Sequence, residues 1–174
     1  MGASSTTRGV FAGGQFDNPY PQTDIIDFIT IATEGNAQDF GDLTAARKWG
    51  GTVASRTRGI WLGGQLGSSP NYSNVIQAIE ISSLGNAFDF GDLINGTFAK
   101  VGASNSIRGL AAGGYGSPAN ILVIELLTMT TLGNGSNFGN LTNSHYYGYG
   151  TTAPTRAKFA GGDPATNIIE YEIY

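Results

Sequence analysis

The chain has 174 residues, a net charge of −4, only 13% charged residues and no cysteine. Disulfides and thiolate metal sites are therefore excluded, and no lysine–arginine stripe marks a nucleic-acid surface. With 40% apolar residues and 27 glycines, the composition suits one folded domain rich in tight turns, and no apolar run is long enough for a membrane-spanning helix.

Taken in chain order, the first element is Gly2-Ala3-Ser4, which returns as Thr52-Val53-Ala54, Gly102-Ala103-Ser104 and Gly150-Thr151-Thr152. Because it recurs, it is read as a strand rather than as an N-terminal lipidation pattern, and no signal-peptide apolar run follows it. The second element, TRGVFAGG at 7–14, returns as TRGIWLGG at 57–64, IRGLAAGG at 107–114 and TRAKFAGG at 155–162. Its arginines, Arg8, Arg58, Arg108 and Arg156, are spaced by 50, 50 and 48 residues. The third element is the most apolar: DIIDFITI, NVIQAIEI, VIELLTM and NIIEYEIY. The fourth, GNAQDFGDL at 35–43, returns as GNAFDFGDL at 85–93 and GNGSNFGNL at 133–141.

Short runs of Ile, Val, Phe and Tyr bounded by Gly, Asn, Ser and Pro are strand signals, and no window carries a sustained helical period. Four such strands recurring about every 50 residues predict an all-β chain of four-stranded antiparallel blades, a β-propeller. The repeats fall near 1–43, 44–93, 94–141 and 142–174, three full units and a fourth without its outer strand. The expectation for the whole is a single propeller domain, or part of one: a four-bladed monomer with one short blade, or, favoured by the open terminal blades, self-association into an eight-bladed ring or a larger assembly.

The order of an apolar strand, Gly-Gly, a second apolar strand and an aromatic-bearing fourth strand resembles the kelch repeat. The fuller wording, TRGVFAGG followed by an Ile-rich strand and GNAxDFGDL, is similar to kelch-like repeats carried by tailed phages of marine bacteria. That resemblance covers nearly the whole chain. It implies a virion or appendage protein, located on a particle or outside the cell, with other virion subunits, itself or a host-surface glycan or protein as partners. A free lectin-like propeller and an intracellular kelch interaction module are the alternative expectations.

Several repeated residues are expected to be structural. The arginines should satisfy backbone carbonyls or the neighbouring DFGD turn. Gly13, Gly14, Gly63, Gly64, Gly113, Gly114, Gly161 and Gly162 lack a phosphate-loop context and should provide positive φ or close backbone approach. Asp42 and Asp92, with Asp39 and Asp89, are expected to serve turn hydrogen bonds, because the third repeat replaces them with Asn140 and Asn137. That replacement argues against a metal role. No nucleophile motif accompanies His145, the only histidine. No catalytic residue, metal or cofactor is expected, and the chain is read as a non-enzyme.

The repeats differ in their loops. In the geometry implied by the family resemblance, the loops joining strands two and three share one face with the loops between blades. Those segments vary completely, while TRG and GNA on the opposite side hardly change. Diversified loops on a rigid scaffold are where recognition resides. The candidate ligand contacts are Phe16, Tyr20, Lys48, Tyr72, Phe98, Tyr115, His145 and Tyr146, with Gln15, Gln65 and Asn71 orienting the ligand. Trp49 is expected to pack between blades.

Overall fold

The computed structural model describes residues 1–16, 21–67, 71–116, 121–165 and 167–174, and these contain strands and turns but no helix. The first sheet pairs β1 (Gly2–Ser4), β2 (Arg8–Gln15), β3 (Gln22–Thr30) and β4 (Gln38–Asp42) in that order. After a short β5 (Arg47–Lys48), the second sheet holds β6 (Gly51–Ala54), β7 (Arg58–Leu66), β8 (Tyr72–Glu80) and β9 (Phe88–Asp92). The short β10 (Thr97–Phe98) precedes the third: β11 (Val101–Ser104), β12 (Arg108–Ala112), β14 (Val123–Thr128) and β15 (Ser136–Asn140), with β13 (Tyr115–Gly116) between β12 and β14 in sequence. The last sheet has three strands, β16 (Tyr149–Ala153), β17 (Arg156–Ala160) and β18 (Ile169–Ile173). Every pairing is antiparallel, and the four sheets are arranged as the blades of a β-propeller.

The core lies between blades. Val10, Ile26, Phe28 and Phe40 of blade 1 pack on Trp61, Ile79 and Ile81 of blade 2. The same positions recur between blades 2 and 3, where Ile60, Ile76, Ala78 and Phe90 meet Ala111, Leu127 and Met129. Between blades 3 and 4, Leu110, Ile124 and Leu141 meet Ala157 and Phe159. A middle blade is thus covered on both faces, so β7 is buried at every position from Gly59 to Gly64. The end blades show the alternation of half-covered sheets, β3 on one side and β18 on the other.

Two repeated motifs gain a physical account. The first glycine of the first three doublets, Gly13, Gly63 and Gly113, has φ near +60° and lies against a linker carbonyl, whereas Gly161 has a similar φ but no such neighbour. A Cβ on Gly63 would come within 2.5 Å of the Thr97 carbonyl oxygen, so the bulge in the β7–β8 ladder needs glycine for both conformation and space. The GNA segment is an interblade clip. Gly85 N–H donates to the Phe40 carbonyl (2.9 Å), Ala87 N–H to the Asp42 carbonyl (2.7 Å), and Asn86 Oδ1 accepts from Asp42 N–H (3.1 Å). Gly133, Gly135 and Asn134 repeat these bonds on Phe90 and Asp92. Turn bonding by the aspartate side chain itself occurs at Asp89, whose Oδ1 accepts from Gly91 N–H; Asp42 and Asp92 act here through their backbones.

Arg8 and Arg58 each reach a backbone carbonyl of the next blade, at Ile81 (2.7 Å) and Met129 (3.2 Å), rather than the DFGD turn. Arg58 Nε also donates to Glu80 at 2.6 Å, in a half-buried ion pair. Arg108 and Arg156 are exposed, and Arg156 lies over the Tyr171 ring.

Candidate aromatic recognition face

Each segment between blades pairs antiparallel with residues at or just beyond the end of the second strand of the blade that follows. Arg47 and Lys48 oppose Leu66 and Gln65, Thr97 and Phe98 oppose Gly116 and Tyr115, and Tyr146 opposes Asp163. The next residue in each linker, Trp49, Ala99 or Tyr147, adopts a left-handed backbone with φ of 56°, 55° or 57°. A non-glycine residue held there costs on the order of 1 kcal/mol. Backbone hydrogen bonds between linkers compensate: Ala99 N–H donates to the Trp49 carbonyl, and Tyr147 N–H to the Ala99 carbonyl.

This arrangement turns rings from three linkers and two blades onto one surface. Phe98 is at its centre, with Trp49, Tyr72, Tyr115, Tyr146 and Tyr147 between 5.4 and 6.4 Å from it, centroid to centroid. Tyr72 stacks on Phe98 with planes 29° apart, and Tyr115 and Tyr146 meet edge to face. Lys48 Nζ sits 4.0 Å above the Trp49 ring and donates to Gln15 Oε1. The Tyr146 hydroxyl donates to Asp163 Oδ2 at 2.9 Å, which holds that phenol above its usual range. Burial does the same for the Tyr147 phenol.

Of the expected contacts, Tyr72, Phe98, Tyr115 and Tyr146 are brought together, and Lys48 joins them at the edge. Phe16 is exposed, yet among the described residues no ring contact connects it to the cluster. Tyr20 lies outside the described residues, and Asn71 is exposed beside the cluster strand β8. His145 is a correction: its side chain is buried at 2% exposure, because the first residue of each linker points inward. Trp49 is another. Its left-handed backbone turns the ring outward, where it is 43% exposed and part of the cluster. Tyr147, 44% exposed, was not among the expected contacts; its place after Tyr146, in register with Trp49, was the available signal.

The inward residues are a buried support for this face. Arg47 donates to the Gly63 carbonyl at 3.0 Å and to Ser73 Oγ, and burial lowers its pKa to about 10, so it stays charged at neutral pH. One blade on, Lys100 donates to the matching Gly113 carbonyl at 3.1 Å and pairs with Glu125 at 3.0 Å, both side chains fully buried. Burial lowers the Lys100 pKa and Glu125 opposes that shift.

At the opposite end, the first hairpin turns of all four blades surround a cleft of about 520 Å³. Three of its polar side chains are occupied locally: Ser5 Oγ accepts from Thr7 and Arg8 N–H, Ser55 Oγ from Thr57 and Arg58 N–H, and Asn105 Oδ1 from Ile107 and Arg108 N–H. The aromatic face is therefore the better candidate site, since its rings are partly exposed and its segments differ between repeats. Among the described residues, no group of three or more His, Asp or Glu side chains could hold a metal ion. No protein-family model and no curated protein matches the chain.

Proposed function

We propose that the propeller is a recognition module whose aromatic face docks a glycan or protein on a microbial host surface. The observation that carries this reading is the continuous cluster centred on Phe98, built from the segments in which the repeats differ. Rings offer area and a polar handle at low entropic cost, and apolar sugar faces stack on them. Gln65, next to Tyr72 across the ladder, supplies an orienting amide, and Lys48 and Asp163 are the charged groups at the rim. Binding of this kind depends little on ionic strength.

The resemblance of the repeat wording to kelch-like proteins of marine tailed phages supports a place on a virion or its appendage. Catalysis has no part in this reading. The test is alanine substitution of Trp49 and Tyr147, whose exposed rings contribute about 1 kcal/mol each to docking. Host adsorption should fall by about tenfold or more with particle assembly intact. Intact adsorption with failed assembly would show instead that the face packs against other subunits. Binding of the free protein on a glycan array, without any particle, would favour the lectin reading.

A further inference from the structure

Blade 1 presents a face that the rest of the chain uses only as an interior. Phe11, Ile29 and Ile31 stand at the repeat positions of Trp61, Ile79 and Ile81, which are 0–1% exposed against blade 1. Yet Phe11 is 52% exposed, Ile29 37% and Ile31 55%. Blade 4 presents the complementary face. Ile169 and Tyr171 occupy the positions of Ile76 and Ala78, and are 69% and 61% exposed. We infer that two copies of this chain associate head to tail, blade 4 of each on blade 1 of the other, closing an eight-bladed ring.

The occupant follows from continuity: each open face is one half of an interface made three times inside the chain, so its best complement is the other half. Charge agrees. Lys158 stands where Val10, Ile60 and Leu110 are wholly buried, with Arg156 on the same side of its sheet. A buried lysine needs an acid. Blade 1 supplies Asp27 and Asp39, opposite one another on the open face, at the positions of Gln77 and Asp89. The position of Asp27 in blade 3 is Glu125, which already pairs with a buried lysine, Lys100 of the linker leading into that blade. Two head-to-tail contacts related by a twofold axis close without leaving a free end. An eight-bladed ring lies within the usual range for propellers.

Light scattering after gel filtration tests this on the whole chain. The expected mass is twice 18.1 kDa at micromolar concentration. A mass of one chain, or one that keeps rising with concentration, would overturn the closed pair. Ile29→Asp combined with Ile31→Asp should give a folded monomer, with circular dichroism unchanged because both side chains are exposed. A pair that survives that variant also overturns the inference. Asp27→Lys and Lys158→Asp should each weaken association by about tenfold, the value of one charged hydrogen bond. The double variant should recover it, and failure to recover would remove Asp27 as the partner of Lys158.

Discussion

Arg47 and Lys100 solve one problem from two places in the sequence. The bulge glycine of blades 2 and 3 turns its carbonyl inward, and a buried cation must meet it. Arg47 does so from the first position of its linker and Lys100 from the fourth, where the other linkers have Gly50 and Gly148. Arg47→Ala strands the carbonyls of Gly63 and Val75, and is expected to cost about 2–3 kcal/mol of unfolding free energy in a denaturant titration. Arg58→Ala loses the Met129 carbonyl and Glu80, with an expected cost of about 1–3 kcal/mol; an unchanged melting temperature would contradict the assigned contacts. On the surface, the Tyr146 phenol is raised first by its hydrogen bond to Asp163. Because its folded value lies above the ordinary 10.0, the bond stabilises fully below that pH and is lost as pH rises through the folded value. Asp163→Asn should move the Tyr146 transition back towards 10.0, read by ultraviolet difference absorbance against Tyr146→Phe.

Blades are joined by backbone as much as by core. In the GNA segment Ala87 packs against the core between blades 1 and 2, while the asparagine and the backbone N–H groups grip the outer strand of the preceding blade. The same residue type at the same repeat position should therefore differ in energetic weight. Asn134→Ala removes the acceptor for Asp92 N–H and is expected to cost about 1 kcal/mol. Asn36→Ala, at the equivalent exposed position in blade 1, should leave stability unchanged within about 0.5 kcal/mol. Equal effects in thermal unfolding of the two variants would refute the clip.

Across the molecule, apolar positions identical in the repeat have opposite fates. Ile81 is 1% exposed between blades 1 and 2, whereas Ile31 is 55% exposed on the open face. Ile81→Asp should destabilise by more than about 4 kcal/mol, through cavity formation and an unpaired buried charge, and leave little folded protein. Ile31→Asp should fold normally, with circular dichroism of an all-β protein. The aromatic face is a property of this same scale, because its rings come from five segments between Trp49 and Tyr147.

The sequence by itself determined the blade. Period, glycine doublets and strand composition are local or repeated signals, so the all-β propeller and the short last sheet were legible from TRGxxxxGG and GNAxDFGDL alone. Tyr72, Phe98, Tyr115 and Tyr146 were legible too, as aromatics in segments that vary between repeats. What the tertiary structure decided was direction and company. Nothing local tells His145 from Tyr146, yet a linker paired as a strand sends one inward and the next outward. Alternation alone would turn Trp49 inward with Arg47, and its left-handed backbone brings the ring to the surface instead. Likewise Phe11 and Trp61 stand in nearly identical wording, and only the number of neighbouring blades makes one exposed and the other core. Exposure in a stacked array depends on a residue's neighbours in space, and a repeated sequence carries no mark of where the stack is open.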